Sequence, residues 1–114
     1  MEIATRTQGG VTLVVIAGSL DSNTAPTAQQ TLDGILSSGA RKLALDCTAL
    51  DYISSAGLRV LLATAKRLRQ TADGGKDALR LFGLNETVRE VFDISGFSTI
   101  LPMFATQADA LTGF

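Results

Sequence analysis

Two adjacent hydroxyls, Ser54 and Ser55, separate an apolar strand from an amphipathic helix in the stretch LALDCTALDYISSAGLRVLLATAKRL, Leu43 to Leu68. A helix start carries unpaired backbone N–H groups and the positive end of the helix dipole. A serine hydroxyl placed there is suited to accept a phosphoryl group, because the added negative charge is locally tolerated. The same dipeptide also serves as a plain cap, with Ser54 as the N-cap accepting from first-turn amides. The residue types alone leave both readings open.

Composition narrows the other chemistries. The 114 residues include no histidine, which removes His-based triads, histidine metal sites and phosphohistidine relays. The single cysteine, Cys47, permits no internal disulfide and no cysteine metal cluster. It reads as a small packed side chain rather than a reactive thiol. Asp46 stands at a strand end, where a receiver domain keeps its phosphoacceptor, but the early acidic pair that holds Mg²⁺ there is missing. A structural role is expected for it. No G-x-S-x-G elbow surrounds Ser55, so a serine-nucleophile enzyme is not expected. Neither Gly9-Gly10 nor Gly74-Gly75 has the context of a phosphate-binding loop. No cofactor and no metal are expected.

Formal net charge is −1, and aromatic residues make up 5% of the chain. The basic footprint and the stacking platforms of a nucleic-acid binder are therefore missing. No apolar run approaches the roughly 20 residues of a membrane span. The start MEIATRTQGG lacks the basic and apolar regions of a signal peptide. A cytoplasmic protein without nucleic-acid or membrane partners is expected.

The elements that must position the serines follow from periodicity and punctuation. With 46% hydrophobic residues, the chain is long enough for one cored domain over residues 1–114. Ile3 to Thr7 and Val11 to Ala17 read as strands joined at Gly9-Gly10, the second covered on both faces. Gly18 to Thr24 reads as loop. A helix follows from about Ala25, with Thr24 as N-cap, Pro26 in the first turn and Gly39 past its end. Ala28, Leu32, Ile35 and Leu36 form its apolar face. Lys42 to Asp46 is a short strand.

The second helix runs from about Ser55 to Gln70, with Leu58, Leu61, Leu62, Ala65 and Leu68 on one face. Its basic residues gather at the C-terminal end, where they complement the dipole. Ala72 to Lys76 reads as loop and Ala78 to Phe82 as strand. Asn85 caps a third helix with Glu86 in its first turn; Val88, Val91 and Phe92 are its buried face, and Gly96 stops it. Ile100 to Phe104 and Thr106 to Leu111 read as a last strand and a last helix. The order predicts an α/β domain with a mixed, mostly parallel sheet of four to five strands, an antiparallel edge strand and about four helices. Function in such sheets gathers at strand-to-helix loops. Two qualify: Gly18 to Ala25, and Cys47 to Gly57.

The run D-Y-I-S-S-A-G-L, followed by R-V-L-L and a basic-ended helix, resembles the signature of the STAS domain family, and within it the anti-sigma factor antagonists. The family places an aromatic, an apolar residue, Asp or Ser, the phosphoacceptor, a small residue, Gly and Leu in that order. Tyr52, Ile53, Ser54, Ser55, Ala56, Gly57 and Leu58 fill those places. Gly18-Ser19-Leu20-Asp21 with Thr24-Ala25 is similar to the family loop G-x-L-D-x-x-x-A. Leu43 to Asp46 matches the central strand. Val88, Val91, Phe92, Ile94, Ser95, Gly96 and Phe97 resemble the late helix and its closing SG-[LF].

The resemblance implies a phosphorylation-controlled binding switch. Many close relatives place Asp before the phosphoacceptor, where this chain has Ser54; Gly57 and Leu58 set the register, so Ser55 is the implied acceptor and Ser54 the second choice. Asp21, Ser22, Asn23, Ser54, Ala56, Gly57 and Arg59 are the implied partner-binding residues. The implied partners are an anti-sigma factor that is a serine kinase of the GHKL type, sequestered until Ser55 is phosphorylated, and a PP2C-like phosphatase. The alternative is a STAS subunit of a lipid-transport ABC complex that binds its ATPase. Three residues keep two readings. Asp21 contacts the partner or bonds its own turn; Gly57 admits an approaching backbone or packs helix on strand; Arg59 touches the partner or stays solvated.

Overall fold

β1 (Glu2–Gln8) and β2 (Val11–Leu20) pair antiparallel in continuous register. Gly9 and Gly10 join them with φ values of 57° and 81°. Two successive positive φ angles make the two-residue turn whose twist matches that of the strands, and glycine adopts them without strain. The computed structural model describes residues 1–70 and 78–114; the expected loop at Ala72 to Lys76, including Gly74-Gly75, lies outside the described residues.

The remaining elements are α1 (Ala25–Ser37), β3 (Leu43–Asp46), β4 (Leu50–Ile53), α2 (Ser55–Arg69), β5 (Leu79–Phe82), α3 (Glu86–Ser95), a 3-10 turn at Phe97–Thr99, β6 (Met103–Phe104) and α4 (Gln107–Leu111). The sheet runs β1-β2-β3-β5-β6, parallel except at β1, with β4 pairing β2 off that path. Among the described residues, six strands replace the expected four to five. The additional one is β4, which pairs with Gly18, Ser19 and Leu20 after a register shift between Gly18 and Ser19. Those three residues, expected in a loop, are therefore the last residues of β2.

Alternation along the strands divides the core in two. Val14, Ile16, Leu43, Leu45, Leu79 and Leu81 face one side and pack against Leu32 of α1, Leu61 and Leu68 of α2, and Val88 and Phe92 of α3. Val11, Leu13, Ala44 and Phe82 face the other and pack against Ala110 of α4. Three helices thus cover one face, and one five-residue helix covers part of the other. α1 and α2 are also joined by an ion pair, Arg67 to Asp33 at 2.7 Å. Asn85 caps α3 as expected, its side chain accepting from the Val88 amide at 2.8 Å and donating to the Leu50 carbonyl at 3.1 Å. That second bond ties the start of α3 to the first residue of β4, the strand that leads to the serines.

Candidate functional site

Ser54 and Ser55 sit where β4 passes into α2. The backbone of Ser54 is extended, its amide donates to the Leu20 carbonyl at 2.9 Å, and its carbonyl accepts from the Leu58 amide at 2.9 Å. Main-chain bonds therefore stitch the loop to the end of β2. Gly57 is what lets α2 come so near. A Cβ there would lie 2.7 Å from the Leu20 carbonyl oxygen and 2.8 Å from side-chain atoms of Ile53 and Leu20. Gly57 is buried beneath these neighbours. Close packing of helix on strand accounts for it, and it leaves little surface for the partner contact expected of it.

The two hydroxyls have opposite settings. Ser55 is exposed at the first position of α2, with no acidic residue in that turn. The Oγ of Ser54 is buried and has no hydrogen-bond partner among the described residues. The capping bond expected from Ser54 is not formed, because its amide, not its hydroxyl, ties the loop. Ser55 is thus open to solvent, while the Ser54 oxygen is covered. Arg59 is exposed one turn further on, its Nε donating to the Ser55 carbonyl at 3.4 Å. A cation thus shares a helix face with Ser55. Ala56 is half-buried and packs against the core.

The second loop reaches the same place through Leu20. Asp21 is half-buried, and its Oδ1 accepts from the amides of Asn23 at 2.9 Å and Thr24 at 3.3 Å. The Ala25 amide donates to the Asp21 carbonyl at 2.7 Å. Asp21 is thus engaged in its own turn, its carboxylate holding the two residues before α1 and its carbonyl the first residue of the helix. Thr24, expected as the cap, makes no side-chain capping bond. Its hydroxyl donates to the Ser19 carbonyl at 2.9 Å and accepts from the Asp21 amide at 2.9 Å, lacing the loop to β2. Ser22 and Asn23 are exposed.

The exposed rim is therefore Ser22, Asn23, Ser55 and Arg59, joined by Asp51 and Tyr52 of β4. Tyr52 is 49% exposed and brings an aromatic ring to this rim. It was absent from the expected contact residues. Its place in the D-Y-I-S-S run marks it in the sequence, but its exposure does not show there, because it lies between buried Leu50 and Ile53 in a strand that does not alternate.

Two other candidates prove structural. Asp46 accepts from the Thr48 amide at 3.0 Å and from the Thr48 hydroxyl, holding the turn that separates β3 from β4. Among the described residues no cluster of acidic or cysteine side chains could hold a metal ion. Cys47 is buried, and its thiol is pushed up from 9.0 to about 12, by burial first and by the Asp46 charge second. Native Cys47 is expected to react with a thiol reagent far more slowly than in denaturant, because burial both covers it and keeps it in the thiol form. The linkage has a definite sign. The unfolded thiol loses its proton near pH 9.0 and the folded one near 12, so this contribution to stability is whole below about pH 9 and is lost as pH rises through 12. Chemical denaturation across alkaline pH measures it.

These features define a small α/β domain that presents one accessible serine at a strand-to-helix junction, beside a second loop and an exposed aromatic. The chain belongs to the STAS domain family, whose sequence model matches residues 2–110. It is 40% identical over 105 residues to BtrV of Bordetella bronchiseptica, covering 92% of this chain and 87% of that protein. It is 33% identical over 88 residues to the anti-sigma-B factor antagonist of Listeria monocytogenes, covering 77% and 74%. The crystal structure of an anti-sigma factor antagonist from Mycobacterium paratuberculosis matches with a TM-score of 0.86 at 25% identity, over 97% of this chain and 91% of that one.

Proposed function

We propose that this chain is an anti-sigma factor antagonist, a protein-binding switch thrown by phosphorylation of Ser55. The observation that carries this reading is the exposed Ser55 hydroxyl at the start of α2, in a chain whose relatives bear that name. The partner is an anti-sigma factor that is also a serine kinase of the GHKL type. A PP2C-like phosphatase removes the phosphate. The protein acts in the cytoplasm, needs no cofactor and is not itself an enzyme. Ser22, Asn23, Tyr52, Ser55 and Arg59 form the contact surface, and Asp21, Ser54 and Gly57 support it from beneath.

The physical basis is local charge. A phosphoserine brings about −1.5 to −2 charges at neutral pH. The α2 N-terminus and Arg59 stabilise that charge in place, so the domain keeps its shape. The docking partner, which must cover the same spot, loses affinity. Coupling of this kind is typically about 5–150-fold.

The test is capture from the native cell on wild type, Ser55→Ala and Ser55→Asp forms. The alanine form is expected to retain an anti-sigma kinase, and the aspartate form to lose it. Retention of one and the same transporter ATPase by all three forms would instead assign the chain to a lipid-transport complex. Mass spectrometry of the kinase-treated chain is expected to place the phosphate on Ser55; phosphate on Ser54 would move the acceptor by one residue.

A further inference from the structure

β1 is an outer strand of the sheet, and the opposite edge is the two-residue β6. One side of β1 is fully paired with β2; its other side presents backbone donors and acceptors to solvent. Proteins usually blunt such edges with Pro, Lys, a bulge or shortness. β1 has no Pro, Lys or bulge; it is seven residues of EIATRTQ in unbroken register with β2, and its charged side chains are one of each sign, Glu2 and Arg6. Six of its residues are exposed, Ile3 being the exception.

Charge placement indicates what this edge fits. Alternation puts Glu2, Ala4 and Arg6 on one face. Glu2 and Arg6 lie roughly 13 Å apart along the strand, too far to pair with each other. Neither belongs to an ion pair among the described residues. In an antiparallel pairing of two β1 strands about a two-fold axis at Ala4, Glu2 of each copy stands opposite Arg6 of the other. Ala4 meets its own copy, and its small side chain permits close approach. Ile3 meets Thr5 on the other face. Like charges at positions 2 and 6 would repel in this register, whereas the opposite charges present here attract.

The neighbouring surface is also uncovered. The second face of the sheet is closed by α4 only around Ala44, Phe82 and Ala110. Towards β1 it opens into a groove of about 410 Å³ lined by Glu2, Ile3, Ala4, Val15 and Ala17. We propose that β1 is the docking edge for a second copy of this chain, giving a two-fold dimer whose sheet is continuous across the two β1 strands. The interface is self-complementary, as a two-fold pairing requires. Each copy has one such edge, so assembly stops at two. β4 and α2, which carry the serines, take no part in the pairing.

Sedimentation velocity on the full chain at low salt, at concentrations up to about 1 mM, tests this. Wild type is expected to dimerise reversibly. Arg6→Glu and Glu2→Arg each replace two attractive pairs by two repulsive ones, and each is expected to weaken dimerisation about tenfold. The double variant Glu2→Arg/Arg6→Glu restores complementarity and recovers wild-type association. An equimolar mixture of the two single variants also recovers it, as a heterodimer. Circular dichroism checks that each variant is folded. A wild type that stays monomeric throughout, equal association by all forms, or assembly beyond the dimer would overturn the proposal.

Discussion

Gly57→Ala lowers the stability of the folded chain by about 2–3 kcal/mol, although in an unobstructed helix the same exchange raises it by about 1 kcal/mol. The reversal comes from what the added methyl meets. It would lie 2.7 Å from the Leu20 carbonyl oxygen, a main-chain atom in a paired strand that cannot rotate aside. The other two close atoms belong to the side chains of Ile53 and Leu20, both buried. Relief requires the start of α2 to move off β2, which breaks the bond from the Ser54 amide to Leu20. Partner binding is therefore expected to fall together with stability. A lower urea midpoint at unchanged slope is the signature of a pure stability change. Ser55→Ala is the contrast, because its side chain is exposed; it should leave the midpoint in place. A midpoint raised by Gly57→Ala would show that the junction is looser than these distances require.

The same junction shows where sequence reading succeeds. α2 is legible because its apolar residues recur at helical spacing and its start is marked by two serines. The stop after α1 at Gly39 and the cap of α3 at Asn85 are equally plain, since each rests on one residue's backbone or side-chain preference. β4 is hidden for a physical reason. Its four residues are buried at both ends and exposed between, so the period of two never appears. Its pairing partner is the end of β2 beyond a register shift, where a glycine already suggested a loop. Capping is hidden wherever two groups compete for one role. Thr24 holds the N-cap position of α1, but its hydroxyl goes to the Ser19 carbonyl of β2; the amide of Ser54 likewise takes the bond to β2, while its hydroxyl has no partner among the described residues. The basic end of α2 reads as a response to the dipole, yet Arg67 also reaches Asp33 of α1. Sequence gives no sign of that 34-residue step. The site as a whole was legible as two loops; that Leu20 joins them, and that Tyr52 stands exposed beside them, follows only from the fold.

Arg80→Met is expected to cost about 2–4 kcal/mol and to loosen the C-terminal segment. A charged residue inside the strand LRLF would ordinarily be assigned to solvent, yet Arg80 is 8% exposed. Its Nη1 donates to the Ala110 carbonyl at 2.9 Å and the Thr112 carbonyl at 2.8 Å, and its Nη2 to the Gly113 carbonyl at 3.2 Å. These oxygens belong to the end of α4, where helical carbonyls lack partners of their own. The guanidinium also stands over the rings of Phe104 and Phe114, at 5.5 and 4.2 Å from their centroids. A five-residue helix has no independent stability, so this fork, together with the packing of Ala110, Leu111 and Phe114, holds α4 over Ala44 and Phe82. Methionine keeps the apolar bulk but leaves three carbonyls without their donor. Arg80→Lys should recover less than half of the loss, because an ammonium cannot match the planar fork. Urea titration reads the loss, and hydrogen exchange in residues 107–111 reads its location. Ser55 belongs to the layer on the other face of the sheet, so partner binding at temperatures where the variant stays folded is expected to change by less than about twofold. A large loss of binding would mean that the second face contributes to the switch itself.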